Sequence, residues 1–185
     1  MTPRKKQVTW IASVLSLVFV ADQISKVLIM KHIAPHMAPR YDVFFHFTHQ
    51  RNTGLIGGVF HDIPMIAYIA PVIAFAFLIY MYTQLNPASR LQTIAYGMIM
   101  GGAMGNILDR MRLQSVTDFL QFHFYFIPFD FPWKYYPAFN IADMSIIMGV
   151  ILLFITLTFM HEKLEPDQNR GDAEDAERKE ARDES

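Results

Sequence analysis

Cysteine is absent from this 185-residue chain, which excludes disulfides, a thiolate nucleophile and thiolate-ligated metals. A basic stripe interleaved with aromatics is also lacking, so nothing points to nucleic acid, and 16 Lys and Arg against 17 Asp and Glu leave a net charge of −1. The seven histidines are the only soft ligands that remain, and His46-x-x-His49 with His61 and His123 could be read as a metal set. A helical zinc protease needs His-Glu-x-x-His, which does not occur here; no metal and no cofactor are expected. Ser25 adjoins Lys26, but consecutive helical residues point about 100° apart, which weakens a Ser–Lys nucleophile.

Apolar residues dominate what is present. A hydrophobic fraction of 52%, 14% aromatics and a mean hydropathy of +0.21 belong to the membrane class. Residues 8–20 behind Arg4-Lys5-Lys6 have the outline of a cleaved signal peptide, but Phe19 would stand three before a cut after Ala21, where a small residue is needed. The helical pattern runs on to Met30. Residues 8–30 would make about 34 Å of helix at ~1.5 Å per residue, enough to cross a hydrocarbon core of ~30 Å.

Further spans are expected at 63–85, despite Pro64 and Pro71, at 91–108, and at 139–160. The third carries Gly97, Gly101, Gly102 and Gly105, which suit close helix contact in lipid. Between the first two spans, Val43-Phe44-Phe45-His46-Phe47 reads as a short strand. The aromatic, proline-broken connection 111–138 reads as a segment at the membrane interface. The chain is thus expected to form one membrane-embedded domain over 1–161, followed by a charged, disordered tail over 162–185.

Four spans put both termini on one side. Nine cations lie on that side (Arg4, Lys5, Lys6, Arg90, Lys163, Arg170, Arg178, Lys179, Arg182) against six opposite (Lys31, Arg40, Arg51, Arg110, Arg112, Lys134), which favours cytoplasmic termini.

The polar residues then coincide. Asp22 and Lys26 lie late in the first span, Asn52 in the following loop, Asn106 to Arg110 at the end of the third span, Asp118 just beyond, and Asn140 with Asp143 at the start of the fourth. All sit at one membrane face, whereas the inner halves of the four spans carry no Asp, Glu, Lys, Arg or His. A proton relay, the rival reading, would need such groups at both faces. Each piece also has an ordinary structural role available. Asp22 and Lys26 are one turn apart and can simply neutralise each other, Asn140-x-x-Asp143 fits an N-cap with a carboxylate at N3, and Asp109-Arg110-Met111-Arg112 can be the hydrophilic end of a span. The alternative for Asp118 and Asp143 is a carboxylate dyad. Two such groups in a poorly solvated site share a proton, one acting as base toward water and the other donating to a carbonyl. A helix N-terminus would favour the charged form of Asp143.

Asp22-Gln23-x-x-Lys26, Arg51-Asn52-Thr53-Gly54, Gly101-Gly102-Ala103-x-Gly105-Asn106-x-x-Asp109-Arg110, Val116-x-Asp118-Phe119 and Phe139-Asn140-x-Ala142-Asp143 occur together and in this order. In them the chain resembles the lipoprotein signal peptidases (signal peptidase II), bacterial inner-membrane aspartyl proteases. The resemblance covers essentially residues 8–160. It implies that Asp118 and Asp143 are catalytic and that Asp22, Lys26, Asn52, Gly54, Asn106, Arg110, Asn140 and Ala142 line or support the substrate site. It implies an α-helical integral membrane protein of four transmembrane helices, with a small extramembrane β-sheet and an interfacial helix on the outer face. The reaction implied is hydrolysis of the bond N-terminal to the diacylglyceryl-modified cysteine of a prolipoprotein. The enzyme would be a monomer among membrane lipid in the bacterial inner membrane, with its site near the periplasmic face. Leu55-Ile56-Gly57-Gly58 departs from the family, which often has small residues and a Phe there.

Overall fold

A computed structural model of the chain describes residues 2–35, 43–54, 64–131 and 134–161. Its elements run α1 (Pro3–His32), β1 (Phe45–Asn52), α2 (Pro64–Tyr82), α3 (Arg90–Leu113), β2 (Val116–Phe122) and α4 (Ile141–His161). Local sequence sets the helix ends. Thr2 caps α1 ahead of Pro3, whose missing N–H is harmless in the first turn. Ser89 caps α3, and Gln114 ends it in the left-handed conformation, returning its N–H to the Arg110 carbonyl.

Three expected boundaries shift. The third helix runs five residues past Leu108, so Asp109, Arg110 and Arg112 are helical rather than the start of a loop. The expected strand at 43–47 instead spans Phe45–Asn52 and reaches the Arg51-Asn52 segment. The connection 111–138, read as interfacial chain, contains β2, an antiparallel partner of β1 with an irregularity between Phe47 and Gln50. Periodicity could not reveal β2, because Val116-Thr117-Asp118-Phe119 is buried on both faces and mixes apolar with polar residues on each. No helix beyond α1–α4 occurs among the described residues, so the interfacial helix is not found there. Arg40, the Leu55-Ile56-Gly57-Gly58 departure, His61 and the tail over 162–185 lie outside the described residues.

The burial pattern is inverted relative to a protein packed in water. Large apolar side chains face outward, including Leu17, Val72, Ile73, Phe77 and Phe154, while Asp22, Lys26, Asn106, Asp109 and Asn140 are buried. Such an apolar exterior needs a nonaqueous surrounding. Among the described residues two helices are long and apolar enough to cross a membrane, Pro3–His32 and Ile141–Thr158, and Ile69–Tyr82 is a shorter apolar helix.

α3 is the central helix and packs closely on both α1 and α4. Gly101 lies against Leu15 and Val18 of α1, and Gly102 against the Ala142 carbonyl of α4. A Cβ at either place would collide with the neighbouring helix, so these glycines set the approach of three helices. α2 meets the bundle chiefly through α3.

Candidate active site

One backbone contact organises the polar end of the bundle. Leu120 of β2 bridges Phe139, exchanging Leu120 N to Phe139 O at 2.8 Å and Phe139 N to Leu120 O at 3.0 Å. Asp118 lies two residues before the first of these and Asn140 one after the second. Asn140 Nδ2 accordingly donates to Asp118 Oδ1 at 2.7 Å, and the other Asp118 oxygen accepts from Asn52 Nδ2 of β1 at 2.9 Å.

Asn140 also begins α4. Its Oδ1 accepts from Asp143 N at 2.9 Å, while Asp143 Oδ2 accepts from Asn140 N at 3.2 Å, a reciprocal capping box. The capping role and a place at the site are therefore not exclusive, since the same Asp143 carboxylate lines a cavity shared with Asp118. Asn106 Nδ2 of α3 donates to Asp143 Oδ1 at 2.8 Å. Among the described residues each of the four carboxylate oxygens accepts a hydrogen bond, and a carboxylate oxygen has a second lone pair with which it can meet water or substrate.

Behind this layer lies a buried ionic cluster. Lys26 Nζ meets Asp22 Oδ2 at 2.9 Å and Asp109 Oδ2 at 3.1 Å, and donates to Asn106 Oδ1 at 3.0 Å. Its three protons are matched by three acceptors. Asp22 Oδ1 accepts the Ala142 N–H at 3.0 Å, so it caps α4 as well as pairing with Lys26. Asp22 and Lys26 are 0% and 1% exposed and do not line the cavity. Their neutralisation of each other is real, and it also holds Asn106 and the start of α4 in place. Gly105 presses on Asp22 Oδ2, leaving no room there for a side chain.

The cavity has a volume of about 560 Å³. Asn52, Asn106, Arg110, Asp118 and Asp143 line its polar part, and its apolar remainder is built from α2, α3 and α4, including Phe77, Ile146 and Phe154. Arg110 Nη2 donates to the Gly54 carbonyl at 2.9 Å, and Gly54 N donates to Asn52 Oδ1 at 2.9 Å. Gly54 therefore connects Arg110 to the asparagine that holds Asp118. Asn140 and Ala142 are 0% exposed and act from behind the cavity wall.

Burial pushes the Asp118 carboxyl up to about 7, and the neighbouring Asp143 charge adds to this. The hydrogen bonds from Asn52 and Asn140 and the Lys26 charge oppose the rise. A carboxyl that is easily protonated near neutral pH, beside a second carboxylate capped by a helix N-terminus, is suited to acid–base work on a polar bond.

Asp109, Gln23 and Thr117 were not among the expected site residues. Asp109 accepts from Thr117 N at 3.1 Å and from Gln23 Nε2 at 3.2 Å besides pairing with Lys26, tying β2 to α1 and α3. The available signal was the i, i+3, i+4 spacing of Asn106, Asp109 and Arg110 on one helix. His46 and His49 do not converge on a ligand site; among the described residues no group of three or more His, Asp or Glu could hold a metal ion.

Comparison with known proteins gives concordant findings. The family described as signal peptidase (SPase) II, peptidase family A8, matches residues 14–159. The lipoprotein signal peptidase of Bacillus pumilus (strain SAFR-032) is 36% identical over 137 residues, which are 74% of this chain and 84% of the relative. That of Bacillus subtilis (strain 168) is 33% identical over 153 residues, 82% of this chain and 95% of the relative. A solved bacterial membrane enzyme structure superposes with a TM-score of 0.64 at 26% identity, covering 80% of this chain and 91% of that one.

Proposed function

The chain belongs to the signal peptidase II family, and from that premise we propose which residues perform its reaction and how they are set in the membrane. It is a membrane protease that removes the signal peptides of lipoproteins. Asp118 and Asp143 are the catalytic dyad. The observation that carries this assignment is their place together at the polar end of an otherwise apolar cavity.

Asp118 holds the shared proton, in keeping with the rise of its carboxyl to about 7, and Asp143 is ionised at the N-terminus of α4. Asp143 takes a proton from water, whose oxygen attacks the carbonyl carbon before the lipidated cysteine. Asp118 gives its proton to the carbonyl oxygen. As the resulting diol collapses, one hydroxyl proton returns to Asp118, the C–N bond breaks, and the proton taken by Asp143 passes to the leaving amine, which restores both carboxyls. Asn52 and Asn140 position Asp118, Asn106 positions Asp143, and Arg110 with Gly54 borders the entry. Asp22, Lys26 and Ala142 support the first turn of α4.

The four long helices span the bilayer, with both termini cytoplasmic and the dyad near the periplasmic face of the inner membrane. The inverted burial pattern supports this reading, as does the short extramembrane sheet beside the dyad. The interfacial helix, the single domain over 1–161 and the monomeric state belong to the same proposal. The apolar cavity wall suits acyl chains and a hydrophobic signal segment. Two acyl chains, at about 0.8 kcal/mol per buried methylene, would hold the cysteine at the depth of the carboxylates.

The test compares a peptide bearing a diacylglyceryl-cysteine with the same peptide unmodified. Cleavage on the N-terminal side of the lipidated cysteine, with little or none of the unmodified peptide, is expected. Equal cleavage of the two would remove the lipid requirement.

A further inference from the structure

The opposite end of the bundle holds a second cleft, unconnected with the chemistry above. It lies between the first turns of α1 and the turn joining α2 to α3, has a volume of about 450 Å³, and is lined by Lys6, Gln7, Trp10, Pro87, Arg90 and Thr93 among others. We propose that this cleft binds the phosphate of an anionic phospholipid in the leaflet opposite the dyad. The inference rests on the four-span reading above, because only a bundle that traverses the bilayer puts this end at headgroup depth.

Three independent features converge on that ligand. The first is an unpaired buried donor. Gln7 is only 2% exposed; its Oε1 accepts from Arg4 at 3.0 Å, while its Nε2 has no partner among the described residues. A buried amide N–H without an acceptor is unfavourable, and a phosphate oxygen would supply one. The second is charge of one sign. Lys6 and Arg90 line the cleft, and Arg4 is fixed nearby over the Tyr82 ring at 5.1 Å. No Asp or Glu occurs in residues 2–21 or 64–108, so nothing on α1, α2 or α3 at this end neutralises those cations. α3 also begins at the cleft, and the start of a helix attracts an anion.

The third feature is depth. From Gln7 to Lys26 is about 29 Å along α1 at ~1.5 Å per residue, close to the ~30 Å hydrocarbon thickness. With Lys26 and the dyad at one interface, Gln7 stands at the other. Trp10 is 57% exposed at the level favoured by interfacial tryptophan. Leu17, seven residues on and therefore on the same helix face, is 71% exposed. A lipid whose phosphate sits among Lys6, Gln7 and Arg90 can lay its acyl chains along that face. Two cations favour an anionic headgroup over a zwitterionic one.

The experiment uses the purified full-length chain in neutral detergent, with bound lipid read by native mass spectrometry. Phosphatidylglycerol is offered against phosphatidylcholine of identical acyl chains, and inorganic phosphate is added as competitor in a separate arm. A preference for phosphatidylglycerol of roughly tenfold is expected. It falls to near unity in the Lys6→Gln/Arg90→Gln double variant and in Gln7→Glu, which keeps the acceptor for Arg4 but turns a carboxylate toward the phosphate. Lys5→Gln removes a neighbouring cation that does not line the cleft, and it should retain the preference. An equal loss in Lys5→Gln would mean diffuse attraction to basic residues and overturn the proposal, as would an undiminished preference in Gln7→Glu. Displacement of phosphatidylglycerol by inorganic phosphate at comparable concentration would mean a free-anion site and overturn it too. Cleavage of the lipidated peptide is measured in parallel on the same samples, so failure of the peptidase reading and failure of the lipid site show in different readouts.

Discussion

Replacing Asn52 by Ala tests which carboxyl carries the proton. Asn52 Nδ2 donates to Asp118 Oδ2 at 2.9 Å and stabilises the charged form, opposing the burial that pushes this carboxyl up to about 7. A hydrogen bond to a charged group contributes about 1.5–3 kcal/mol when buried. At 1.36 kcal/mol per pH unit that corresponds to one to two units. Asn52 is half-buried, so the lower end applies, and Asp118 should rise from about 7 toward roughly 8.

The sign follows from the mechanism. Activity needs Asp118 protonated, so cleavage declines as pH rises through its value, and the alkaline limb should stand near 7 in the wild type and move upward in Asn52→Ala. The acid limb, which reports the ionised partner, should stay nearly in place. Because the two carboxyls interact, the limbs report the pair as a unit. The assay is kcat/KM for the lipidated peptide against pH, with Arg51→Ala as an exposed neighbour that should leave both limbs unmoved. An alkaline limb that stays fixed or moves downward in Asn52→Ala would refute the assignment of the proton to Asp118.

Asp118→Asn and Asp143→Asn should each lower cleavage by roughly three orders of magnitude or more while the protein still elutes as a folded particle in detergent; a double variant much slower than either single one would argue against a shared mechanism. Asp22→Lys combined with Lys26→Asp should remain inactive in the peptide assay, because Asp22 also accepts the Ala142 N–H and Lys26 also holds Asp109 and Asn106; restored cleavage would reduce the pair to simple neutralisation. Gly105→Ala puts a Cβ against the Asp22 carboxylate, which three donors hold in place, so both thermal stability and kcat should fall, and unchanged kcat would show that Asp22 does not position α4. Between about pH 4 and 7 native Asp118 binds more protons than an unfolded Asp, so its contribution to stability decreases as pH rises through that window; denaturation midpoints should depend less on pH in Asp118→Asn.

The sequence by itself determined the membrane class, the four long helices and the gathering of polar residues at one end of them. Those features follow from local chemistry: long runs of apolar residues, and charges placed toward the same end of successive runs. Five short motifs in a shared order also sufficed to identify the family. The chain could not show on its own that Asp109 belongs with Lys26, since a helix that runs five residues farther is needed to bring that carboxylate inward. Nor could it show β2. Tertiary structure alone decided how the residues divide between the cavity wall and the layer behind it. Asp22, Lys26 and Asn140 differ from Asn52, Asn106 and Arg110 by which neighbour each meets across α1, α3, α4 and the sheet. That division arises from glycines that let three helices close up and from the Leu120–Phe139 bridge that draws Asp118 to the start of α4. Both are contacts between segments far apart in the chain, to which local periodicity is blind.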